Sequence, residues 1–229
     1  MKRQIIKRES YIEGIDVSKW QNVIDWPNLD PSVEFAIARA AYGIEQDKRF
    51  NDNWTGMRDS KVIRCAYQYV TASTTGANQA LTMCRIIKSA GGLDKDDLPP
   101  VIDVEFDPLV KSCPRGKRLG LVEQWCKIIR NELGRVPIIY TGPYYWQDTV
   151  TTEPMPYPLW IAHYETFAPL VPDSWPVWTI WQYTSNGRAE GINGAVDRNV
   201  FDGSRQDLLW LTRMLTEDMY WHNTVGGKP

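Results

Sequence analysis

Short apolar runs rich in β-branched and aromatic residues recur along this chain, separated by stretches of helical periodicity. Eight runs bounded by Gly or Pro read as strands: YIEGIDV (11–17), FAIARAAY (35–42), VIRCAYQYV (62–70), VIDVEF (101–106), PIIYTG (137–142), PLWIAHY (158–164), VWTIWQY (177–183) and AVDRNVF (195–201). Between them, GANQALTMCRIIKSAGG places Ala80, Met83, Cys84 and Ile87 on one helical face and stops at a Gly pair. RGKRLGLVEQWCKIIRNELGR repeats that pattern and stops near Gly134. SRQDLLWLTRML (204–215) opens on Ser204 as an N-cap, and NDNWTGMRDS (51–60) carries a fainter helical pattern. Strand–helix alternation predicts parallel strands with helices packed outside, and eight strands predict closure into a TIM-barrel-like single domain of the α/β class. The helices thin out after residue 150, so loops should join the last three strands. The expected division is a basic arm over 1–11, a barrel over 12–215 and a tail over 216–229.

Within that frame one segment stands out. PPVIDVEFDP (99–108) is an apolar run carrying Asp103 and Glu105. On a strand, residues i and i+2 share a face, so both acids point one way and Val104 the other. Their neighbours Val101, Ile102, Val104 and Phe106 are apolar, which argues against a solvated edge. In an α/β barrel, functional groups gather at the C-terminal strand ends, where this pair falls. Asp16 in EGIDVSKW and Asp197 in GAVDRNVF lie in the first and last strands. Each alone reads as a cap, a turn acid or a salt-bridge partner, but barrel closure makes those strands neighbours. Four acids converging at one mouth would keep at least one protonated at neutral pH, because like charges in a dry site disfavour ionisation. That is what a general acid requires. Arg39 in IARAAY either moderates this field or forms an exterior salt bridge.

Composition narrows the chemistry. The chain has 229 residues, 43% hydrophobic and 24% charged, so it can bury a substantial core. A net charge of -2 gives no electrostatic case for nucleic acid; Lys2, Arg3, Lys7 and Arg8 read as a solvated arm. MKRQIIKRES has no apolar core of a signal peptide, and no run approaches the roughly 18 apolar residues of a membrane helix. The expectation is a protein made in the cytoplasm without membrane insertion. Cys65, Cys84, Cys113 and Cys126 form no CxxC pair, and His163 and His222 are the only histidines, so neither a metal site nor a Cys–His dyad is expected. Cys65 and Cys84 read as small buried hydrophobes; pairing of Cys113 with Cys126 stays open. GINGA (191–195) is a turn, not a nucleotide loop, and Ser18 and Ser185 lack a plausible His partner. Eleven tryptophans, with Trp160, Trp175, Trp178 and Trp181 clustered, suit either sugar stacking or core filling. Carboxylates with aromatics and without metal ligands point to glycoside hydrolysis without a cofactor.

Eight segments in order, GIDVSKWQ (14–21), ARAAYG (38–43), CAYQYV (65–70), PPVIDVEF (99–106), PIIYTG (137–142), PLWIAHY (158–164), IWQYTSNG (180–187) and VDRNVF (196–201), resemble the landmarks of glycoside hydrolase family 25. These are the Chalaropsis-type lysozymes, common among phage endolysins. The resemblance implies a (β/α)5(β)3 barrel that cleaves the β-1,4 bond between N-acetylmuramic acid and N-acetylglucosamine in bacterial peptidoglycan. It implies Glu105 as general acid with a raised pKa. It implies Asp103 as the ionised partner of the substrate's 2-acetamido group, with Asp16 and Asp197 lining the site. Tyr67 and Tyr140 match strand tyrosines beside the catalytic pair, and Trp160 and Gln182 match sugar-contacting positions. Arg39 falls in the same set. The family's usual His at position 68 is Gln68 here, which bears on subsite detail rather than chemistry. A phage lysis enzyme reaching the wall through a holin lesion, or a module carried on a phage particle, fits the resemblance, in either case as a monomer. The alternatives are a catalytically silent peptidoglycan-binding module and a chitinase-like barrel. The latter's longer DxxDxDxE motif is missing from PPVIDVEF.

Overall fold

The computed structural model describes residues 11–106 and 114–213. The basic arm, Cys113 and the tail over 216–229 lie outside the described residues. Eight strands close a barrel: β1 (Tyr11–Val17), β2 (Phe35–Tyr42), β4 (Ile63–Tyr69), β5 (Val101–Asp103), β6 (Ile138–Thr141), β7 (Leu159–Ala162), β8 (Ile180–Gly187) and β9 (Val196–Asp202). β1, β2 and β4 through β8 run parallel around the barrel, while β9 is antiparallel to both β8 and β1. A two-residue strand, β3 (Glu45–Gln46), folds back on the end of β2 and stands outside the ring. Five helices, α1 (Phe50–Asp59), α2 (Gly76–Ser89), α3 (Arg115–Leu133), α4 (Pro143–Thr149) and α5 (Arg205–Leu211), are numbered in chain order. No helix intervenes between β7 and β8 or between β8 and β9, which is the (β/α)5(β)3 plan.

The period-two pattern of the strands sorts side chains into two cores. Phe35, Ile37, Ile63, Cys65, Val101, Ile138, Ile180 and Phe201 point inward, and Leu208 and Leu211 of α5 close the barrel's base. The outward set, including Ala36, Ala38, Ala66, Ile102, Ile139 and Ile161, packs against the helices. A Cβ on Gly14 would lie 2.3 Å from the Phe35 ring, so glycine on β1 is what lets that ring fill the interior. Trp160, Trp175 and Trp181 are buried and Trp178 is half-buried. The tryptophan cluster is therefore core filler, and among the described residues the exposed indole is Trp20, 72% accessible, just after β1.

Helix ends follow their sequence signals. Ser204 accepts from the Asp207 amide in a reciprocal capping box, Thr75 caps α2, and α3 ends on Gly134 in the left-handed region with φ 64°. The strand expected over 101–106 stops at Asp103, and α4 adds a helix where the sequence pattern had marked none. Gln68 also belongs to the frame. It lies on the outer face of β4, donates to the carbonyls of Gly43 (2.7 Å) and Gln79 (2.9 Å), and accepts from Trp125 Nε1 (2.6 Å). A fully buried amide so engaged joins β4 to α2 and α3 and takes no part in a sugar subsite.

Candidate active site

The acids meet at the C-terminal mouth of the barrel, each placed there by a different device. Asp16 sits one residue before the end of β1 and is paired in register with Asp197, near the start of β9. Because β9 runs antiparallel, its beginning lies at the same mouth as the ends of the parallel strands. Asp103 is the last residue of β5, paired with Tyr140 on β6. Glu105 lies beyond the strand, so strand alternation alone does not aim it. The chain is instead clamped on both sides: Thr141 Oγ1 donates to the Val104 carbonyl (2.8 Å), and the Tyr69 hydroxyl donates to the Phe106 carbonyl. A bulge in β2 between Arg39 and Ala41 re-aims the strand end beside the site. Beyond it, Tyr42 and Tyr69 stack with centroids 4.6 Å apart.

The four carboxyl groups form two hydrogen-bonded pairs. In the first, Asp103 is hydrogen-bonded to Glu105; in the second, Asp197 is hydrogen-bonded to Asp16. Burial, first of all, pushes every one of them above the usual carboxylate range. Asp16 rises to about 6, restrained by the amides of Asn199 and Gln182, and Asp197 rises to about 8 under burial and the Asp16 charge. Glu105 is raised, and Asp103, 3% exposed, is raised well above its ordinary value by burial and then by the Glu105 charge. Both members of the first pair are thus held above the ordinary carboxylate range, so the pair retains a proton where isolated carboxylates would lose theirs.

An amide-and-phenol lattice holds Asp16 in place. Its Oδ2 accepts from Gln182 Nε2 (2.7 Å) and Asn199 Nδ2 (2.9 Å). Gln182 Oε1 accepts from the hydroxyls of Tyr140 (2.9 Å) and Tyr164 (2.6 Å), and Asn199 Oδ1 accepts from Trp160 Nε1 (2.8 Å). Asp103 Oδ1 is buried and has no hydrogen-bond partner among the described residues. Paired carboxyls with a retained proton, in a cleft rimmed by exposed aromatics such as Trp20, Tyr42 and Phe106, suit acid-catalysed glycoside cleavage.

The family model "Glycosyl hydrolases family 25" matches residues 15–192. The chain belongs to that family. Lysozyme M1 of Streptomyces globisporus is 34% identical over 215 residues, covering 88% of this chain and 71% of that protein. An N,O-diacetylmuramidase of Arthroderma benhamiae is 27% identical, covering 85% of this chain and 88% of that one. The crystal structure of a bacterial lysozyme from Streptomyces coelicolor superposes with a TM-score of 0.80 at 32% identity, over 90% of this chain and 98% of its own. This family 25 protein is thus a glycoside hydrolase of the lysozyme kind.

The positions singled out in the enzyme's sequence divide by what they reach. Asp16, Asp103, Glu105 and Asp197 converge, with the Tyr67 and Tyr140 rings beside them. Trp160 does not offer a sugar platform. It is 1% exposed, with Tyr140 at 4.4 Å and Tyr67 at 6.2 Å against its ring, and so forms the floor beneath the site. Gln182 is 3% exposed and acts through Asp16. Arg39 forms an ion pair, but an interior one rather than the exterior one offered as its alternative. It is buried against Asp47, with Nε to Oδ2 at 2.8 Å, and its charge still opposes the rise at Asp103 and Tyr67. Asn199 and Tyr164 were not singled out. Asn199 shares the inward register of Asp197 and Phe201, a period-two signal available in VDRNVF.

Proposed function

We propose that this enzyme is a muramidase that cleaves the β-1,4 bond between N-acetylmuramic acid and N-acetylglucosamine in bacterial peptidoglycan, with Glu105 as the general acid. The observation that carries the reading is the buried Asp103–Glu105 pair sharing a proton at the barrel mouth. The muramidase and lysozyme names of the relatives supply the substrate class.

A proton retained by the pair suggests how it works. Asp103 Oδ1 is buried and accepts from no described residue. A substrate acetamido N–H donating to it would favour the Asp103 carboxylate, because a hydrogen bond to the charged form lowers a pKa. The proton then passes along the existing bond to Glu105, which delivers it to the glycosidic oxygen. The freed Asp103 carboxylate orients the acetamido group, whose carbonyl oxygen attacks the anomeric carbon as the leaving group departs. Asp16, hydrogen-bonded to Asp197, holds a single negative charge near the developing oxocarbenium ion. Occupation of the site by an acetamido sugar is what arms the acid.

Glu105→Gln keeps size and hydrogen bonding but has no proton to give. It should lower wall-clearing activity by about 10²–10⁴-fold with little change in melting temperature. Mass spectrometry of digests should show new reducing ends on muramic acid; reducing glucosamine would overturn the bond assignment. Failure to release either sugar from any wall preparation would favour a silent binding module. The phage setting belongs to the same proposal and rests on the likeness of the ordered strand-end motifs to endolysins.

A further inference from the structure

Glu105 also lines a groove of about 450 Å³ that runs outward from the mouth between the loop after β4 and the first half of α3. None of the chemistry above uses it. Its floor is apolar, its β4-side wall is formed by the hydroxyl residues Thr71, Ser73, Thr74 and Thr75 with Ala72 among them, and Lys117 and Gly120 of α3 line the other side.

Three features mark this groove as built rather than left over. The hydroxyl wall is fixed from behind by Gln79, itself fully buried. Its Oε1 accepts from the Thr71 amide (2.9 Å) and its Nε2 donates to the carbonyls of Thr71 (2.9 Å) and Thr74 (3.4 Å). Gly120 stands inside a 19-residue helix, where glycine is a poor choice, and a Cβ there would meet nothing within 4 Å. The packing of the free protein therefore does not demand glycine, and a larger side chain there would project into the open groove. Finally, the groove pairs the Glu105 carboxyl at its inner end with cationic side chains, Lys117 and Arg118, on α3. A ligand entering it should be anionic away from the reacting centre and carry amide or hydroxyl groups along the wall.

In peptidoglycan, the muramic acid residue bears a lactyl-linked peptide ending in carboxylates. We infer that the α3 groove receives this peptide stem, so that the enzyme reads the stem as well as the glycan. The inference rests on the muramidase reading and adds a specificity site to it. Lys117 meets a stem carboxylate, the hydroxyl wall meets the peptide, and Gly120 leaves room for the chain. Through the groove's continuity with Glu105, stem binding places the muramyl residue against the acid.

The test compares kcat/KM, read as reducing-end release, on soluble stem-bearing glycan strands and on the same strands stripped by a muramoyl-alanine amidase. The wild type should favour stem-bearing strands by about tenfold, the scale of one charge-assisted contact. Gly120→Leu fills the groove without touching the barrel and should bring that ratio close to one. Lys117→Glu should do the same at an exposed position of α3. Equal wild-type rates on both strands, or an unaltered ratio in the two variants, would overturn the groove assignment while leaving the muramidase reading intact. Failure of the wild type to cleave either strand would sink both.

Discussion

Asn199→Leu tests whether the lattice around Asp16 sets the protonation of the acid pair. Asn199 is fully buried and spends both ends of its amide, donating to Asp16 (2.9 Å) and accepting from Trp160 Nε1 (2.8 Å). Leucine is of similar size and can do neither. The stranded indole N–H and the lost carboxylate contact should each cost about 1–3 kcal/mol. At roughly 2–4 °C per kcal/mol for a domain of this size, melting should fall by about 5–15 °C. The informative readout is the pH profile. Burial holds Asp16 at about 6 against the pull of Asn199 and Gln182. Removing one amide should raise it further, by roughly one unit per 1.4 kcal/mol lost, leaving Asp16 largely neutral at pH 7. Its charge now raises both Asp103 and Glu105. Asp197 faces it from β9, while Arg39 acts on the pair from β2. Once Asp16 is neutral, the acid loses its proton at lower pH, and the alkaline limb of kcat/KM moves down. A merely structural lesion would scale the rate at every pH and leave the limb in place. An unmoved limb, or one displaced upward, refutes the reasoning.

Asp197→Asn bears on stability. The folded-state pKa of Asp197 is raised from 3.8 to about 8, so between those values the native protein binds more protons than the unfolded chain. Stability contributed by this group is present near pH 4 and lost as pH rises through 8. An amide can still donate to Asp16 but does not titrate, so melting curves of the variant should fall less from pH 4 to pH 8; a parallel decline would contradict the assignment. Gln68→Leu removes three buried hydrogen bonds and should lower stability by about 2–4 kcal/mol. Its kcat/KM at 20 °C should stay near wild type, and a large KM defect would return residue 68 to the site. Gly14→Ala should destabilise by about 1–3 kcal/mol through overpacking against Phe35. Adding Phe35→Leu should restore part of that in thermal melts, and an additive loss would mean the two positions do not touch.

The barrel was legible because its strands carry their own punctuation. β1 and β2 fall on the residues their patterns indicate, and the capping signals at Ser204 and Gly134 sit at real helix ends. What escaped notice had no such signal. In α4 only Pro143 and Trp146 are buried, so no helical stripe exists to be seen. The early end of β5 follows from tertiary clamps: Thr141 and Tyr69 are supplied by two other strands and hold the segment carrying Glu105. The i, i+2 spacing placed both acids on one side, but the reason is those clamps rather than continued pleating.

The distribution of protons among the acids lies further from sequence. Four carboxyls could be counted in advance, and their repulsion inferred, yet which member of each pair keeps the proton depends on depth and on donors remote in the chain. Asp16 is the acceptor of its pair because Gln182 and Asn199, 166 and 183 residues away, both aim N–H groups at one of its oxygens. Asp103 is raised by burial and then by the Glu105 charge, and its Oδ1 accepts nothing from the described residues. A single acetamido N–H delivered there would favour the Asp103 carboxylate and leave the pair's proton to Glu105. A sugar lacking the acetamido group should therefore bind without that bias. Competing N-acetylated and N-deacetylated glycan strands in one digest measures this directly. The deacetylated strand should lose kcat more than it raises KM, and a pure KM effect would contradict a part for the acetamido group in the chemical step.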